Sequence, residues 1–177
     1  MAQAETVILD QAGIARALTR IAHEILENNK GCKDLVLVGI RTGGDLLATQ
    51  IRQRIVDIEG DDVPIGAVDI TMYRDDLAAR GSLPVGKTEI PFALDDKKVV
   101  LVDDVLYTGR TIRAAMDALM DFGRPSCIQL SVLIDRGHRE LPIRADYIGR
   151  NVPTATHEKV DLIFDEKNVP EEVRLIK

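Results

Sequence analysis

Residues 99–111 constrain the fold of this 177-residue chain more than any other stretch. They open with four aliphatic residues, a pattern typical of a buried strand in a parallel sheet. Two carboxylates, Asp103 and Asp104, then end the predicted strand, and a short polar loop around Gly109 follows. The next residues place apolar side chains at helical spacing. The stretch therefore predicts a strand, an acidic pair, a polar loop and a helix, in that order.

Each part of this predicted unit has a chemical use. The free N–H groups at the helix N-terminus suit a phosphate, and Gly109 allows the main chain to approach it closely. The hydroxyls of Thr108 and Thr111 add donors. Asp103 and Asp104 suit sugar hydroxyls or a divalent cation held by oxygen ligands. The unit indicates a site for a phosphorylated sugar with magnesium; the alternative is an ordinary β–α loop whose aspartates only cap backbone donors.

The run from Asp103 to Thr111, Asp-Asp-Val-Leu-Tyr-Thr-Gly-Arg-Thr, resembles the 5-phosphoribosyl-1-pyrophosphate (PRPP) binding motif of type I phosphoribosyltransferases. Tyr107 departs from the small residue that most of this family has there. With Tyr107, the run is similar to one branch, the bifunctional pyrimidine operon regulators that are also uracil phosphoribosyltransferases. This similarity extends from the first predicted helix to the C-terminal end. The PRPP contacts that the resemblance implies in the run are Asp103, Asp104, Val105, Leu106, Tyr107, Thr108, Gly109, Arg110 and Thr111.

The resemblance also implies a fold class. The expected fold is the type I phosphoribosyltransferase fold: α/β, in three α/β/α layers, with a mostly parallel central sheet and a small C-terminal hood. Residues 1–177 are expected to form a single phosphoribosyltransferase domain, with a flexible loop at about 71–88 and the hood at about 136–177. Composition agrees, since 45% of the residues are hydrophobic but only 3% are aromatic, which predicts an aliphatic core.

Composition and charge limit the compartments and the binding partners that are expected for this chain. No apolar run is long enough to cross a bilayer, and the N-terminus lacks the pattern of a secretory signal, so no membrane partner is expected. The two cysteines show no metal-ligand spacing and predict reduced thiols in a cytoplasmic protein, with a buried disulfide as the alternative. The net charge of −6 argues against broad, non-specific nucleic-acid binding, but it allows a local basic patch.

A second strand, loop and helix precede this unit. A buried strand at Leu35–Ile40 leads into the run Gly-Ile-Arg-Thr-Gly-Gly at residues 39–44. Arg41 can form two parallel hydrogen bonds to phosphate oxygens, although a plain tight turn is the alternative. The carboxyl ends of neighbouring parallel strands share one edge of the sheet, so both loops should face one ligand. The resemblance makes this the pyrophosphate loop, with Arg41 and Thr42 as contacts.

A long polar segment from Tyr73 to Lys87 lies between the two units. Long loops in compact domains are often lids, and a lid that excludes water suits transfer from an activated sugar; disorder is the alternative. In the resembling family this segment is the flexible catalytic loop. Arg74 and Lys87 are therefore the candidates to reach the pyrophosphate, and an ordinary exposed cation is the other interpretation of each.

Two further groups of residues concern the base and RNA. Arg136 follows a strand predicted from Cys127 to Ile134, at the same sheet edge, and the resemblance implies that Arg136 and Val160 contact the base. The branch is also expected to bind RNA, partly through one face of the helix that begins after Asp10. Solvated surface charge is the alternative for these cations. The RNA-binding candidates are Thr19, Arg20, His23, His138, Arg139 and Arg144, with Arg16, Arg150 and Lys159 in the same two basic sets.

The function implied by the resemblance has two parts. As an enzyme, the chain is expected to convert uracil and PRPP to UMP and pyrophosphate, with Mg²⁺ as cofactor. Asp103, Asp104 and Arg41 are its expected catalytic residues, and the aspartates are expected to hold the metal mostly through substrate and water. As a regulator, it is expected to bind the pyr mRNA leader in response to UMP or UTP and to cause transcriptional attenuation. A homo-oligomer is expected. The alternative is a purine phosphoribosyltransferase without RNA binding.

Overall fold

A computed structural model describes residues 4–75 and 86–177, which form two β-sheets and three α-helices. The strands are β1 (Glu5–Leu9), β2 (Leu35–Ile40), β3 (Ile65–Val68), β4 (Lys98–Leu106), β5 (Cys127–Asp135), β6 (Tyr147–Asn151), β7 (Lys159–Phe164) and β8 (Pro170–Ile176). The α-helices are α1 (Gln11–Asn29), α2 (Gly44–Glu59) and α3 (Arg110–Met120), and a 3₁₀ helix spans Thr71–Tyr73. None of the helices in the described ranges is both long and apolar enough to cross a bilayer.

The larger sheet has five parallel strands in the order β3-β2-β4-β5-β6. The chain adds β3 on one side of β2 and then returns to place β4 on the other side, so the strand order reverses between β2 and β4. Ligands of open α/β sheets bind at such a reversal, beyond the carboxyl ends of the strands. Both predicted phosphate loops, one from β2 to α2 and one from β4 to α3, begin there.

Helices cover both faces of this sheet. Side chains alternate along β2: Leu35 and Leu37 belong to the core that includes α1 and α2, whereas Val36 and Val38 belong to the core that includes α3. Burial on both faces explains the uninterrupted apolar run of this strand. The layers confirm the predicted α/β/α class, and the core is mainly aliphatic, as the composition indicated.

Helix α1 follows the predicted pattern closely. The Asp10 carboxylate accepts a hydrogen bond of 2.7 Å from the main-chain N–H of Gly13, which caps the first turn. Ile14, Leu18 and Ile21 are buried against the sheet. Because one face of the helix faces the core, its polar residues are placed on the opposite, exposed face.

The smaller sheet is antiparallel, in the order β1-β8-β7. Strands β7 and β8 fall in the region expected to form the hood, but β1 comes from the other end of the chain and pairs Glu5 with Ile176. Strand β1 was not predicted, since a five-residue strand has little periodicity of its own. Pairing with β8 makes this N-terminal segment part of the same small sheet.

Several predicted boundaries are wrong by a few residues. The apolar patterns predict strands at Ile65–Ile70 and Ala145–Gly149, but β3 ends two residues earlier, at Val68, and β6 begins two residues later, at Tyr147. Strand β4 continues to Leu106, so Asp103 and Asp104 lie within the strand and do not follow its end. Pairing with β5 determines where β4 ends, because the two strands remain paired as far as Leu106.

Candidate active site

The loop after β2 touches the acidic pair of β4. A Cβ placed on Gly43 would lie 3.0 Å from Asp104 Oδ2, and a Cβ on Gly44 would lie 2.2 Å from the carbonyl oxygen of Val102. Gly43 also has a φ of 107°, in the left-handed region that favours glycine. The two glycines therefore allow the first loop to approach the acids, and a side chain at either position would push the loops apart.

Asp103 and Asp104 form a pair of neighbouring carboxylates. Asp103 Oδ1 accepts a hydrogen bond of 2.9 Å from the Asp104 N–H, and Asp104 Oδ1 accepts one of 2.7 Å from the Val105 N–H. Burial, reinforced by the charge of Asp104, raises the pKa of the Asp103 carboxyl well above its usual value. Burial also raises the pKa of Asp104, and the negative charge of Asp161 on β7 acts in the same direction. No lysine or arginine of the described residues contributes to either shift. The pair is therefore suited to hydroxyl donors or a cation.

A cavity of about 320 Å³ lies beside the loop from β4 to α3. Gly109 is the N-cap of α3, with a φ of 93°, and the hydroxyl of Thr108 accepts a 3.3 Å hydrogen bond from the Arg110 N–H. The Arg110 guanidinium is paired with Asp75 and Glu140. The first N–H groups of an α-helix have no partner within the helix, so the N-terminus of α3 is suited to bind an anion. The cavity is lined by Arg74, Asp75, Val105, Leu106, Tyr107, Thr108, Gly109, Arg110, Thr111 and Ile112.

Two predicted pyrophosphate contacts share one carboxylate. Glu89 Oε1 lies 3.0 Å from Lys87 Nζ, and Glu89 Oε2 lies 3.4 Å from Arg41 Nη2. Lys87 first, and Arg41 to a lesser extent, lower the pKa of the Glu89 carboxyl. Arg41 also lies 4.0 Å from Asp45, while Thr42 is exposed. Sequence reasoning missed Glu89, since no pattern relates a lone glutamate to an arginine in a distant loop.

The predicted flexible loop, at about 71–88, lies partly outside the described residues, which omit 76–85. Arg74 lines the cavity beside the loop from β4 to α3 (residues 107–109, the PRPP loop after its predicted ligand), and its contact with pyrophosphate stays a prediction. The Tyr73 hydroxyl is hydrogen-bonded to Asp121, just beyond the end of α3. The described start of the segment is thus attached to α3, the helix that follows the predicted phosphate loop.

The two predicted base contacts lie on the hood side of the site. Val160 is buried in β7, with 8% of its surface exposed, and Arg136 is buried just beyond the end of β5. The Arg136 guanidinium carbon lies 4.0 Å from the centre of the Tyr107 ring. The structure thus brings Arg136 next to the PRPP loop, and its remaining contacts are to the loop that leads into β7.

The basic face of α1 is exposed and forms an open groove. Its four polar residues all lie at the surface, as their predicted role in RNA binding requires. Arg54 of α2, which the sequence analysis did not consider, donates a hydrogen bond of 3.2 Å to the Thr19 hydroxyl and so adds a cation to this face. The groove is lined by Ala15, Arg16, Thr19, Arg20 and His23.

The second basic set divides between the two faces of the sheet. Arg150 donates a 2.6 Å hydrogen bond to the carbonyl of Ile8, close to the start of α1. Arg144, in contrast, is flanked by Ile143 and Ala145, which pack in the core that includes α3. Since α1 packs in the other core, Arg144 lies toward the opposite face of the sheet from α1, whereas Arg150 lies close to α1.

His138 and Arg139 occupy a third position, beside the PRPP loop. The His138 ring lies edge-on to Tyr107, with ring centres 5.8 Å apart, and its Nε2 lies 2.5 Å from the carbonyl oxygen of Thr154. Arg139 donates hydrogen bonds to Asp135 and to the carbonyls of Tyr107 and Ile143. These contacts hold the turn after β5, so Arg139 supports the site as well as being a predicted RNA contact.

Comparison with known proteins defines the class first. Residues 5–162 match the family model described as the phosphoribosyl transferase domain. A hypoxanthine phosphoribosyl transferase from Trypanosoma cruzi aligns with 100% of this chain and 93% of its own, at 19% identity and a TM-score of 0.75. A hypoxanthine phosphoribosyltransferase from Staphylococcus aureus covers 84% of this chain and 77% of its own, at 22% identity and a TM-score of 0.68. The fold is therefore that of a phosphoribosyltransferase.

Sequence relatives then define the branch. A bifunctional protein PyrR from Citrifermentans bemidjiense is 68% identical, over 97% of this chain and 98% of its own length. Another, from Pelotomaculum thermopropionicum, is 59% identical, over 100% of this chain and 98% of its own. The chain belongs to the phosphoribosyltransferase family and, within it, to the bifunctional PyrR proteins. This membership confirms the two activities expected from the sequence, uracil phosphoribosyltransferase and regulation of pyrimidine biosynthesis.

Proposed function

We propose that this chain transfers the phosphoribosyl group of PRPP to uracil in the crevice between β2 and β4. The observation that carries this proposal is the approach of Gly43 to Asp104, which joins the two phosphate loops at the acidic pair. The 5′-phosphate is bound by the N–H groups that open α3, and the ribose hydroxyls donate to Asp103 and Asp104. The pyrophosphate is contacted by Arg41, Thr42, Arg74 and Lys87.

The reaction needs positioning and electrostatics more than a covalent nucleophile. The bond from the anomeric carbon to pyrophosphate breaks, a bond from that carbon to uracil N1 forms, and N1 loses its proton. Positive charge that develops on the ribose ring is stabilised by the nearby carboxylates Asp103 and Asp104. Negative charge that grows on the departing pyrophosphate is stabilised by Arg41 and the other loop cations.

The acidic pair fits Mg²⁺ in the role expected of it. The described residues contain no cluster of three or more His, Cys, Asp or Glu side chains that would form a complete protein cage for a metal. Mg²⁺ commonly keeps several waters and uses one or two carboxylates plus substrate phosphates. Asp103 and Asp104 would hold such an ion, mostly through water and substrate. When bound, it would neutralise charge on the phosphates.

The choice of base is the part of the proposal that most needs a direct test. The proposal places uracil against the main chain around Val160, with Arg136 beside it. The experiment offers uracil, hypoxanthine and adenine separately with PRPP and Mg²⁺, and measures pyrophosphate release and the nucleotide formed. Formation of UMP from uracil alone is the expected result. Turnover of hypoxanthine or adenine in place of uracil would identify a purine enzyme and overturn the proposal.

The regulatory activity is assigned to the basic face of α1. Its exposed cations suit the phosphates of the pyr mRNA leader, and UMP or UTP in the PRPP pocket is the signal that controls binding. Arg144 and the α1 face lie on different sides of one chain, so a homo-oligomer is the arrangement in which both basic sets can serve one RNA. The net charge of −6 makes local arginines, and not a global basic field, responsible for affinity.

A further inference from the structure

Arg136 is buried, with 6% of its surface exposed, and is the one arginine among the buried polar residues of the described ranges. Lysine and arginine are almost never buried without partners that satisfy their donors. The partners of the Arg136 guanidinium therefore indicate which part of the chain this buried side chain holds in place. All the hydrogen bonds of its guanidinium to described residues go to residues 154–158, the segment between β6 and β7.

Three hydrogen bonds run from the Arg136 guanidinium to this segment. Nε donates to the Thr154 hydroxyl at 3.0 Å, and Nη2 donates to the carbonyls of Ala155 and Glu158 at 3.0 and 2.7 Å. Donors that carry charge form stronger hydrogen bonds than neutral ones. Two of the three acceptors are main-chain carbonyls, so the guanidinium fixes the path of the backbone two residues before Val160.

The other face of the guanidinium rests on the PRPP loop. Its carbon lies 4.0 Å from the centre of the Tyr107 ring, within the range of a cation–π contact. The Tyr107 hydroxyl also reaches the carbonyl of Thr156, at 3.5 Å. Arg136 and Tyr107 therefore join the loop that holds the ribose phosphate to the segment that leads to the base.

We infer that Arg136 is a positioning residue, which sets the backbone of residues 154–158 and aligns it with the PRPP loop so that uracil meets preformed main-chain partners. The inference deepens the proposed uracil phosphoribosyltransferase function and rests on it. The remaining nitrogen, Nη1, has no acceptor among the described residues and stays available for a direct contact with the base. The two roles differ in what they require: positioning needs the planar fork, whereas a direct contact needs a single cationic donor.

Lysine separates these roles, because an ammonium is a point charge that cannot reproduce three directed N–H bonds and a stacked plane. The test measures steady-state kinetics of Arg136→Lys with uracil and PRPP varied in turn. Arg113→Lys is the matched control, since Arg113 is exposed on α3 and its one ion pair among the described residues is with Asp117 in the next turn. Arg136→Lys should raise the KM for uracil about tenfold or more and leave the KM for PRPP nearly unchanged.

A second variant keeps the inference testable if Arg136→Lys does not fold. Thr154→Val removes only the hydroxyl that accepts from Nε, in a side chain of similar shape, and should raise the KM for uracil about threefold. The effects of Arg136→Lys and Thr154→Val should be less than additive, because both remove the same hydrogen bond. If Arg136→Lys does not fold, Thr154→Val alone decides the matter, and an unchanged KM for uracil overturns the inference.

The remaining outcomes are equally definite. Full rescue by lysine would assign Arg136 to direct contact with the base and overturn the positioning role. Equal losses for uracil and PRPP would show general damage to the site and also overturn it. Failure of the unaltered protein to form UMP from uracil is a different result, since it contradicts the proposed function before any variant is compared.

Discussion

The Asp103 carboxylate accepts its 2.9 Å hydrogen bond from the main chain of Asp104, so two acids lie side by side in the central strand. Burial and the neighbouring charge raise the pKa of Asp103. An acid whose pKa is raised by folding destabilises the folded state whenever it is ionised. The arrangement therefore favours a ligand, whose hydroxyls or metal ion can stabilise the charges, at the expense of the stability of the empty protein.

The first prediction concerns stability. Asp103→Asn should increase the free energy of unfolding by about 1–2 kcal/mol near neutral pH, because it removes a buried charge and retains an acceptor for the Asp104 N–H. The gain should shrink as the pH falls and vanish below about 3.9, the usual pKa of an unfolded aspartate, since Asp103 is protonated in both states there. Chemical denaturation at several pH values measures this, and a loss of stability at neutral pH would contradict it.

The second prediction separates the two activities. Asp104→Asn should lower kcat/KM for UMP formation by about a hundredfold or more, because it removes charge stabilisation near the reacting carbon. RNA binding in the presence of UMP should persist, since the basic face of α1 is unaltered. Turnover assays and a binding titration on the same preparation test both parts. Loss of RNA binding with full turnover would reverse the assignment.

The third prediction concerns Glu89, whose carboxylate is paired with both Lys87 and Arg41. PRPP must displace this carboxylate to reach both cations, so Glu89→Gln should lower the KM for PRPP by about two- to fivefold, the range expected for exposed ion pairs. The difference should diminish at high salt. Glu171→Gln, at an exposed position of β8, provides the matched control. A raised KM for PRPP in Glu89→Gln would instead show that Glu89 supports the bound state.

The fourth prediction concerns RNA. Replacing Arg20 and His23 together by alanine should weaken binding of the pyr mRNA leader about tenfold or more and reduce its dependence on salt, while turnover is retained. Arg20 also donates hydrogen bonds to the carbonyls of Ile148 and Gly149 on β6, so His23→Ala should be measured alone as well. Lys167→Ala, in the exposed turn before β8, is the control. Loss of turnover with intact RNA affinity would contradict the assignment.

Local patterns were sufficient for the loop positions and for most of the elements, although not for β1. Residues close together in sequence are enough to recognise the apolar run of β2, the cap at Asp10 and the buried stripe of α1. Parallel strands place their carboxyl ends at one edge, so the expectation that the loops near Arg41 and Asp104 meet needed only the strand assignments. The acids lie inside β4 because β5 extends the pairing, which no local pattern reports.

Contacts between distant residues were beyond such patterns. Glu89 lies 48 positions from Arg41, and Thr154 lies 18 positions from Arg136, and neither pair has a spacing that marks it in the sequence. Strand β1 gained its place only by pairing with β8 at the opposite end of the chain. The division of the basic residues between two sheet faces likewise depends on which core each neighbouring residue joins.

The sequence by itself determined the chemistry available to this protein: an acidic pair after an apolar run, two glycine-containing loops, and arginines near both. These properties reside in residue type and short spacing, which the chain carries before it folds. Only the tertiary structure decided which charges face each other, because long-range packing brings together groups that local periodicity leaves unrelated. The pairing of Glu89 with Arg41 and Lys87, and the contacts of Arg136 with both Tyr107 and Thr154, exist only through that packing.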